Sequence, residues 1–202
     1  MASGKEFLDA KEISLGKLER AYVWDEVDED ILSLLDLINK SEEYYTSSSC
    51  SGRILLLQIP EIGDKKQAEF LGRWHRTIKT EEILKSIKKS DKGIIWLLAQ
   101  SPIIHIGAKS NSAADKIVKI ANASGFKNSH IKSVGKKPIV EIGSTERLDA
   151  PIGEDGALFC EKEHLELLIR ISNEVIKKSM LKLGRFEQEL KKYLSTSKTT
   201  TS

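Results

Sequence analysis

The sequence predicts an α+β fold in which duplicated β-α-β-β units form a mixed or antiparallel sheet, open or barrel-like, flanked by N- and C-terminal helices. Three observations lead there. Pro102-Ile103-Ile104-His105-Ile106-Gly107-Ala108 recurs as Pro138-Ile139-Val140-Glu141-Ile142-Gly143-Ser144, and each copy follows a helix, a glycine and a strand. Short Ser-Pro and Gly-Lys-Lys-Pro connections leave no room for a crossover, so the strands they join are expected to be antiparallel neighbours. No GxGxxG follows a strand, which argues against a doubly wound Rossmann-type sheet.

Along the chain, residues 27–38 place Val27, Ile31, Leu34, Leu35 and Ile38 on one helical face, with Asp28, Glu29 and Asp30 in the first turn where the helix dipole favours acids. The Ser-rich segment that follows reads as a polar loop. Residues 53–59, closed by Pro60, read as a strand buried on both faces, and residues 69–78 as a more amphipathic one. A short helix begins with Thr80 as cap and ends before Gly93. The next is framed by Ser112 and Asp115, read as a capping box, and stops at Gly125. A long helix is expected from Glu161 to about Leu194, with an apolar stripe from Leu165 to Leu183. Residues 195–202 contain only Ser, Thr and Lys and read as a disordered tail, leaving one domain over residues 1–194.

The 32 basic and 30 acidic residues leave a formal charge of +2, so any nucleic-acid contact must come from local patches. One such patch holds Lys127, His130, Lys132, Lys136 and Lys137, in a stretch with no acid between Asp115 and Glu141. Cys50 and Cys160 form no CxxC pair, so neither a zinc site nor a disulfide framework is expected, and no metal is called for. That usage suits a reducing cytoplasm. No apolar run approaches the roughly 20 residues of a membrane span, so no membrane partner is expected. Abundant Lys, Glu and Ile lean towards a thermophile. Among catalytic motifs, GxxxxGK[ST], HExxH and GxSxG are all missing.

The richest chemistry lies in Thr46-Ser47-Ser48-Ser49-Cys50-Ser51, six hydroxyl or thiol side chains followed by Gly52 and Arg53 and then an apolar run. Hydroxyls donate and accept, glycine admits a ligand to the backbone, and a guanidinium holds a carboxylate with two parallel bonds. A polar loop whose hydroxyls only cap backbone groups is the competing reading. His105 faces away from Ile104 and Ile106 within an apolar strand, either to solvent or into a cleft where it serves as a base. Glu141 occupies the matching place in the second repeat.

Several blocks in order, Val27 to Ile31, Thr46 to Ile54, Pro102 with His105, Ser124 to Ser129, Gly135-Lys136-Lys137, and Ser144-Thr145 with Leu148 and Pro151, make residues 27–165 resemble the wyosine-base tRNA N-4 methyltransferases, the third enzyme of wybutosine synthesis and its archaeal relatives. The resemblance implies transfer of a methyl group from S-adenosylmethionine to the N-4 nitrogen of the tricyclic base at position 37 of phenylalanine tRNA, with the anticodon arm as partner. It implies donor binding by Ser48, Ser49, Cys50, Ser51, Gly52 and Arg53, and catalysis by His105 with Ser49 and Glu141. Trp74 or Phe126 would stack on the base. Arg76, Lys127, Asn128, Ser129, Lys136, Lys137, Ser144 and Thr145 would meet the rest of the RNA. The alternatives are a non-enzymatic RNA-binding module, and a helical protein that dimerises through the face of residues 165–183.

Overall fold

The structure, a computed structural model, describes residues 2–64 and 66–199. In chain order it runs α1 (Ala2–Val23), a 3₁₀ turn (Glu29–Ile31), α2 (Leu32–Asn39), β1 (Tyr44–Cys50), β2 (Arg53–Ile59), β3 (Glu69–Trp74), α3 (Thr80–Ile87), β4 (Ile94–Gln100), β5 (Ile103–Ala108), α4 (Asn111–Ala123), β6 (His130–Ser133), β7 (Ile139–Ile142), β8 (Arg147–Glu154), β9 (Ala157–Leu158) and α5 (Lys162–Thr199). The class is α+β, with two antiparallel sheets and no Rossmann-type arrangement. The chain divides into two compact units, where one domain was expected from length: residues up to 51, 102–145 and from 180 on form the first, residues 52–101 and 146–179 the second. No linker-like composition marks the crossings: three fall between strands that follow one another directly, and the fourth lies within α5.

The first unit holds the sheet β1-β5-β7-β6. Tyr44, Ile104, Ile106, Val140 and Ile142 point from it into a core closed by Ile31, Leu34, Leu35 and Ile38, by Ile117 and Ala121 of α4, and by Leu183, Phe186 and Leu190. Such packing, at roughly 25 cal/mol per Å² of apolar surface removed from water, is what holds helices this short to the sheet. Helix α4 is capped by Ser110, whose Oγ accepts from the Ala113 N–H at 3.1 Å, rather than by Ser112; Asp115 pairs instead with Lys119 at 2.7 Å. At its other end Gly125 takes φ +103°, and the Phe126 N–H reaches Ala121 O at 2.9 Å while the Gly125 N–H reaches Asn122 O. This Schellman turn sends the Phe126 ring inward.

The second unit holds the sheet β3-β2-β4-β8-β9 over a core of Ile54, Leu56, Ile83, Ile95, Leu97, Ile152, Leu165 and Ile169. Helix α3 begins at Thr80, so its cap is Lys79, whose backbone N–H donates to Glu82 Oε2 at 3.0 Å. The first half of α5 belongs to this unit and the second half, from Met180, to the other.

Two expectations change. Strands β6 and β7 are antiparallel neighbours as their short connection requires, but β4 and β5, joined through Ser101-Pro102, lie in different sheets. The repeated segments are therefore not two equivalent hairpins; their last strands, β5 and β7, pair with each other. Helix α5 also continues through Ser195 to Thr199, where a disordered tail was expected, because Ser195 Oγ and Thr196 Oγ1 bond back to carbonyls one turn earlier. Residues 200–202 of that tail lie outside the described residues.

Candidate active site

The Ser-rich segment is a strand, not a loop. In β1 Tyr44, Tyr45 and Thr46 pair with Ala108, Gly107 and Ile106, then the register shifts so that Ser48, not Ser47, faces His105. Ser47 is the extra residue of a β-bulge, which re-aims the side chains after it. Just before the shift, Asn39 at the end of α2 grips Thr46: its Oδ1 accepts the Thr46 N–H at 2.8 Å and its Nδ2 donates to Thr46 Oγ1 at 2.9 Å. The bulge therefore sits beside an anchored residue.

Across β5 and β7, Ile104 pairs with Ile142, His105 with Glu141 and Ile106 with Val140. The pairing is symmetric about His105–Glu141, so the two matched positions of the sequence repeat face each other across one ladder. One polar side chain from each of the four strands joins a row on the face opposite the core: Ser48, His105, Glu141 and Lys132. Ser48 Oγ lies 2.6 Å from His105 Nδ1, and His105 Nε2 lies 2.7 Å from Glu141 Oε2. Lys132 Nζ donates to the same Oε2 at 2.5 Å and stands 3.1 Å from His105 Nε2. Beyond the row the Tyr45 ring lies across Gly107, where an added Cβ would fall 2.2 Å from the ring, and it packs on Phe7 of α1 with centroids 5.4 Å apart. A glycine is needed there because any side chain would displace that aromatic wall.

The electrostatics assign the protons. Hydrogen bonds from Lys132 and then His105 pull the Glu141 carboxyl down from 4.5 to about 2, against a smaller opposing effect of burial. Glu141 is thus a carboxylate at any working pH, able only to accept. Two acceptors 2.7 Å apart would repel, so Nε2 carries a ring proton, and in the neutral imidazole Nδ1 presents its lone pair to Ser48. Ser48 donates to it. Histidine and glutamate are both largely shielded, with side chains 22% and 24% exposed, while Ser48 at the end of the row is exposed.

The other expected site residues fall into three groups. Ser49 pairs with Ile104, on the face away from His105, so it is Ser48 that joins the histidine. Ser51 is buried with its Oγ unpartnered among the described residues, while its N–H donates to Asp28 Oδ2 at 2.7 Å. Cys50 pairs with Ile103 and is half-buried. Gly52 is buried at φ +99°, and Arg53 opens β2 with Nε donating to Gln100 Oε1 at 2.9 Å.

Phe126 is fully buried and meets Phe186 edge-on at 6.2 Å, so it is a core residue and not a platform for a base. Ser129 is likewise buried and bonds Phe126 O at 2.8 Å, and Ser144 accepts from Lys182 Nζ at 2.7 Å. Ser129 thus serves a turn of the first unit, while the half-buried Ser144 is engaged by helix α5. Asn128 holds Gly143 O through its N–H, with its side chain exposed.

Lys127, Lys136, Lys137 and Thr145 are exposed, Lys136 bound to Glu6 at 2.9 Å. Arg76 is exposed but held by both oxygens of Glu82, at 2.7 and 3.2 Å, which largely cancels its charge locally. Trp74 is half-buried. Lys132 was expected only as part of the basic patch, and Asp28 was not expected as a site residue. The alternation His130-Ile131-Lys132 was the available signal for the first, since it sets both polar residues on the Glu141 side of β6.

Comparison with known proteins supports the α+β fold. The family described as Methyltransferase TYW3 matches residues 9–192. A Pyrococcus horikoshii protein named tRNA(Phe) 7-((3-amino-3-carboxypropyl)-4-demethylwyosine(37)-N(4))-methyltransferase 1 is 46% identical over 187 residues, 92% of this chain and 95% of the relative. A Methanocaldococcus jannaschii protein of the same activity name is 39% identical over 186 residues, 91% of this chain and 96% of its own length. Among solved structures, the PH1069 protein from Pyrococcus horikoshii superposes with a TM-score of 0.90 at 46% identity, covering 94% of this chain and 98% of the other.

Proposed function

Since the chain belongs to the Methyltransferase TYW3 family, we propose that it transfers a methyl group from S-adenosylmethionine to the N-4 nitrogen of the tricyclic base at position 37 of phenylalanine tRNA. The observation that carries the catalytic part of this reading is the Ser48–His105–Glu141–Lys132 row, a proton path ending in an exposed hydroxyl. The relatives' names specify an acceptor already bearing a 3-amino-3-carboxypropyl group, and we take the same acceptor for this chain.

The donor, when bound, supplies an electrophilic methyl group on a sulfonium centre. The residues present fit its polar amino-acid end: Ser51 Oγ is a buried hydroxyl without a partner among the described residues, and a buried hydroxyl left unmade is costly unless a ligand completes it. Ser49 and Cys50 belong to the same segment. Arg53 carries the rest of that expectation as the cation for the donor's carboxylate. Arg53→Ala is expected to raise the Kd for S-adenosylmethionine about tenfold, the loss of one charge-assisted contact, as read by isothermal titration. An unchanged Kd removes Arg53 from the donor site.

The ring nitrogen must lose its proton as the new bond forms. Ser48 Oγ accepts that proton while passing its own to His105 Nδ1, and the resulting imidazolium is held by the Glu141 carboxylate. Lys132 keeps Glu141 ionised and fixed, which in turn holds the imidazole in the tautomer that can receive. Lys127 and Lys137, exposed on the first unit, meet RNA phosphates, and Trp74 offers an aromatic face to a base.

The direct test uses labelled S-adenosylmethionine with two tRNAs, one carrying at position 37 the demethylated tricyclic base with its 3-amino-3-carboxypropyl group and one with unmodified guanosine there. Label at N-4 of the tricyclic base alone is the expected result. Absence of transfer to either tRNA, with RNA still bound, would leave an RNA-binding module instead.

A further inference from the structure

We propose that the second unit carries an RNA-binding surface of its own along the edge strand β3, with Phe70 and Arg73 on one side of the strand and Trp74, beside Lys85 and Lys89, on the other. This rests on the reading above for its ligand class, an RNA, and adds Phe70, Arg73, Lys85 and Lys89 to the Trp74 already assigned there to a base.

Strand β3 is an edge of the five-stranded sheet. Edge strands are normally blunted by charge and by bulges, and β3 has both: Leu71 falls in a register shift between Leu56 and Leu57, and Arg73 is exposed. Blunting accounts for the charge but not for the aromatics. Phe70 is 52% exposed, and the Arg73 guanidinium lies over its ring, 4.4 Å from the centroid. That stacked pair presents a flat delocalised surface of the kind on which nucleobases stack.

The next residue, Trp74, points to the core side of the sheet and lies down along the strand. A Cβ on Gly72 would fall 2.1 Å from the indole, so glycine at that position is what lets the ring lie against the backbone. The indole then forms one wall of a cleft of about 380 Å³, with Arg73, Lys85 and Lys89 among its other lining residues. Such a volume is within the range of clefts that hold small ligands, roughly 300–1,000 Å³.

The charge of the cleft is one-sided. Glu82 is its one acidic lining residue, and both of its oxygens are already taken by Arg76, with Oε2 also accepting the Lys79 N–H. Lys89, just past the end of α3, donates from Nζ to Leu71 O at 3.2 Å, which holds its charge at the strand edge, and Lys85 is exposed on α3 itself. Aromatic faces interleaved with cations fit unpaired bases and their phosphates, as in a tRNA loop. An acidic peptide would find the cations but no use for the stacked platform.

The test measures binding of a fluorescein-labelled, unmodified anticodon stem-loop of phenylalanine tRNA by anisotropy across a salt series. Two variants are compared with the parent, Arg73→Glu with Lys85→Glu, and Phe70→Ala, each checked for an unchanged melting curve. The charge reversal is expected to raise Kd at least tenfold and to flatten the salt dependence by about two phosphate contacts. Phe70→Ala is expected to raise Kd several-fold at unchanged salt slope, the signature of lost stacking. Parent-like Kd and slope in both variants would overturn the proposal. Methyl transfer is followed in the same proteins: transfer by the parent with unaltered binding in both variants removes this face alone. No transfer by the parent, with binding still dependent on Arg73 and Lys85, removes the transferase reading and supports this face.

Discussion

His105→Ala is expected to slow a single turnover of methyl transfer by about 10²–10³-fold, the usual worth of a positioned base, with the Kd for S-adenosylmethionine unchanged. The reasoning is geometric. Among the described residues His105 is the group that stands 2.6 Å from Ser48 Oγ with a lone pair, and its other nitrogen is committed to Glu141. Glu141→Gln should keep the hydrogen bond but remove the charge that stabilises the imidazolium, lowering the rate less than the histidine variant does. A His105→Ala rate within threefold of the parent would show that the row holds the sheet rather than moving a proton. The carboxylate also sets a limit in acid. Because Glu141 is depressed in the folded state, its contribution to stability is complete above its ordinary 4.5 and is lost as pH falls from there through about 2. A melting series over that interval should therefore flatten in Glu141→Gln.

Phe126→Ala is expected to destabilise the protein by about 3–5 kcal/mol, the cost of emptying a buried aromatic site, with methyl transfer by the folded fraction retained. Phe126 is fully buried against Phe186, delivered there by the Gly125 turn, and no path leads its ring to a bound base. Chemical denaturation gives the stability change, and activity below the transition gives the other half. A variant of native stability that had lost activity would reverse the assignment and return Phe126 to the substrate.

These two residues also mark what was legible. The apolar run Ile54 to Leu57 and the amphipathic patterns of α4 and α5 declared themselves, because burial on one or both faces imposes a period on the sequence. The Ser-rich strand did not, since six similar polar residues show no alternation and serine is a weak strand former. His105 and Glu141 were legible through the repeat, whose matched positions turn out to face one another. Their link to Ser48 was not, because it depends on one extra residue at Ser47 that only pairing reveals. Phe126 carried a signal that was passed over: an aromatic directly after a C-terminal helix glycine is commonly the inward contact of a Schellman turn. The interleaving of two compact units left no compositional trace at all.

The sharing of α5 between the two cores bears on how the chain is made. Leu165 and Ile169 complete one core, and Leu183, Phe186 and Leu190 the other, so both wait for the last quarter of the polypeptide. Synthesis delivers α1, α2 and β1 first, yet the core they begin is completed only when Leu183, Phe186 and Leu190 have left the ribosome. Contacts of such long sequence separation slow folding and prolong the exposure of apolar surface. For this chain the hazardous interval is therefore set by translation time rather than by any single strand, and it closes only when the final helix arrives.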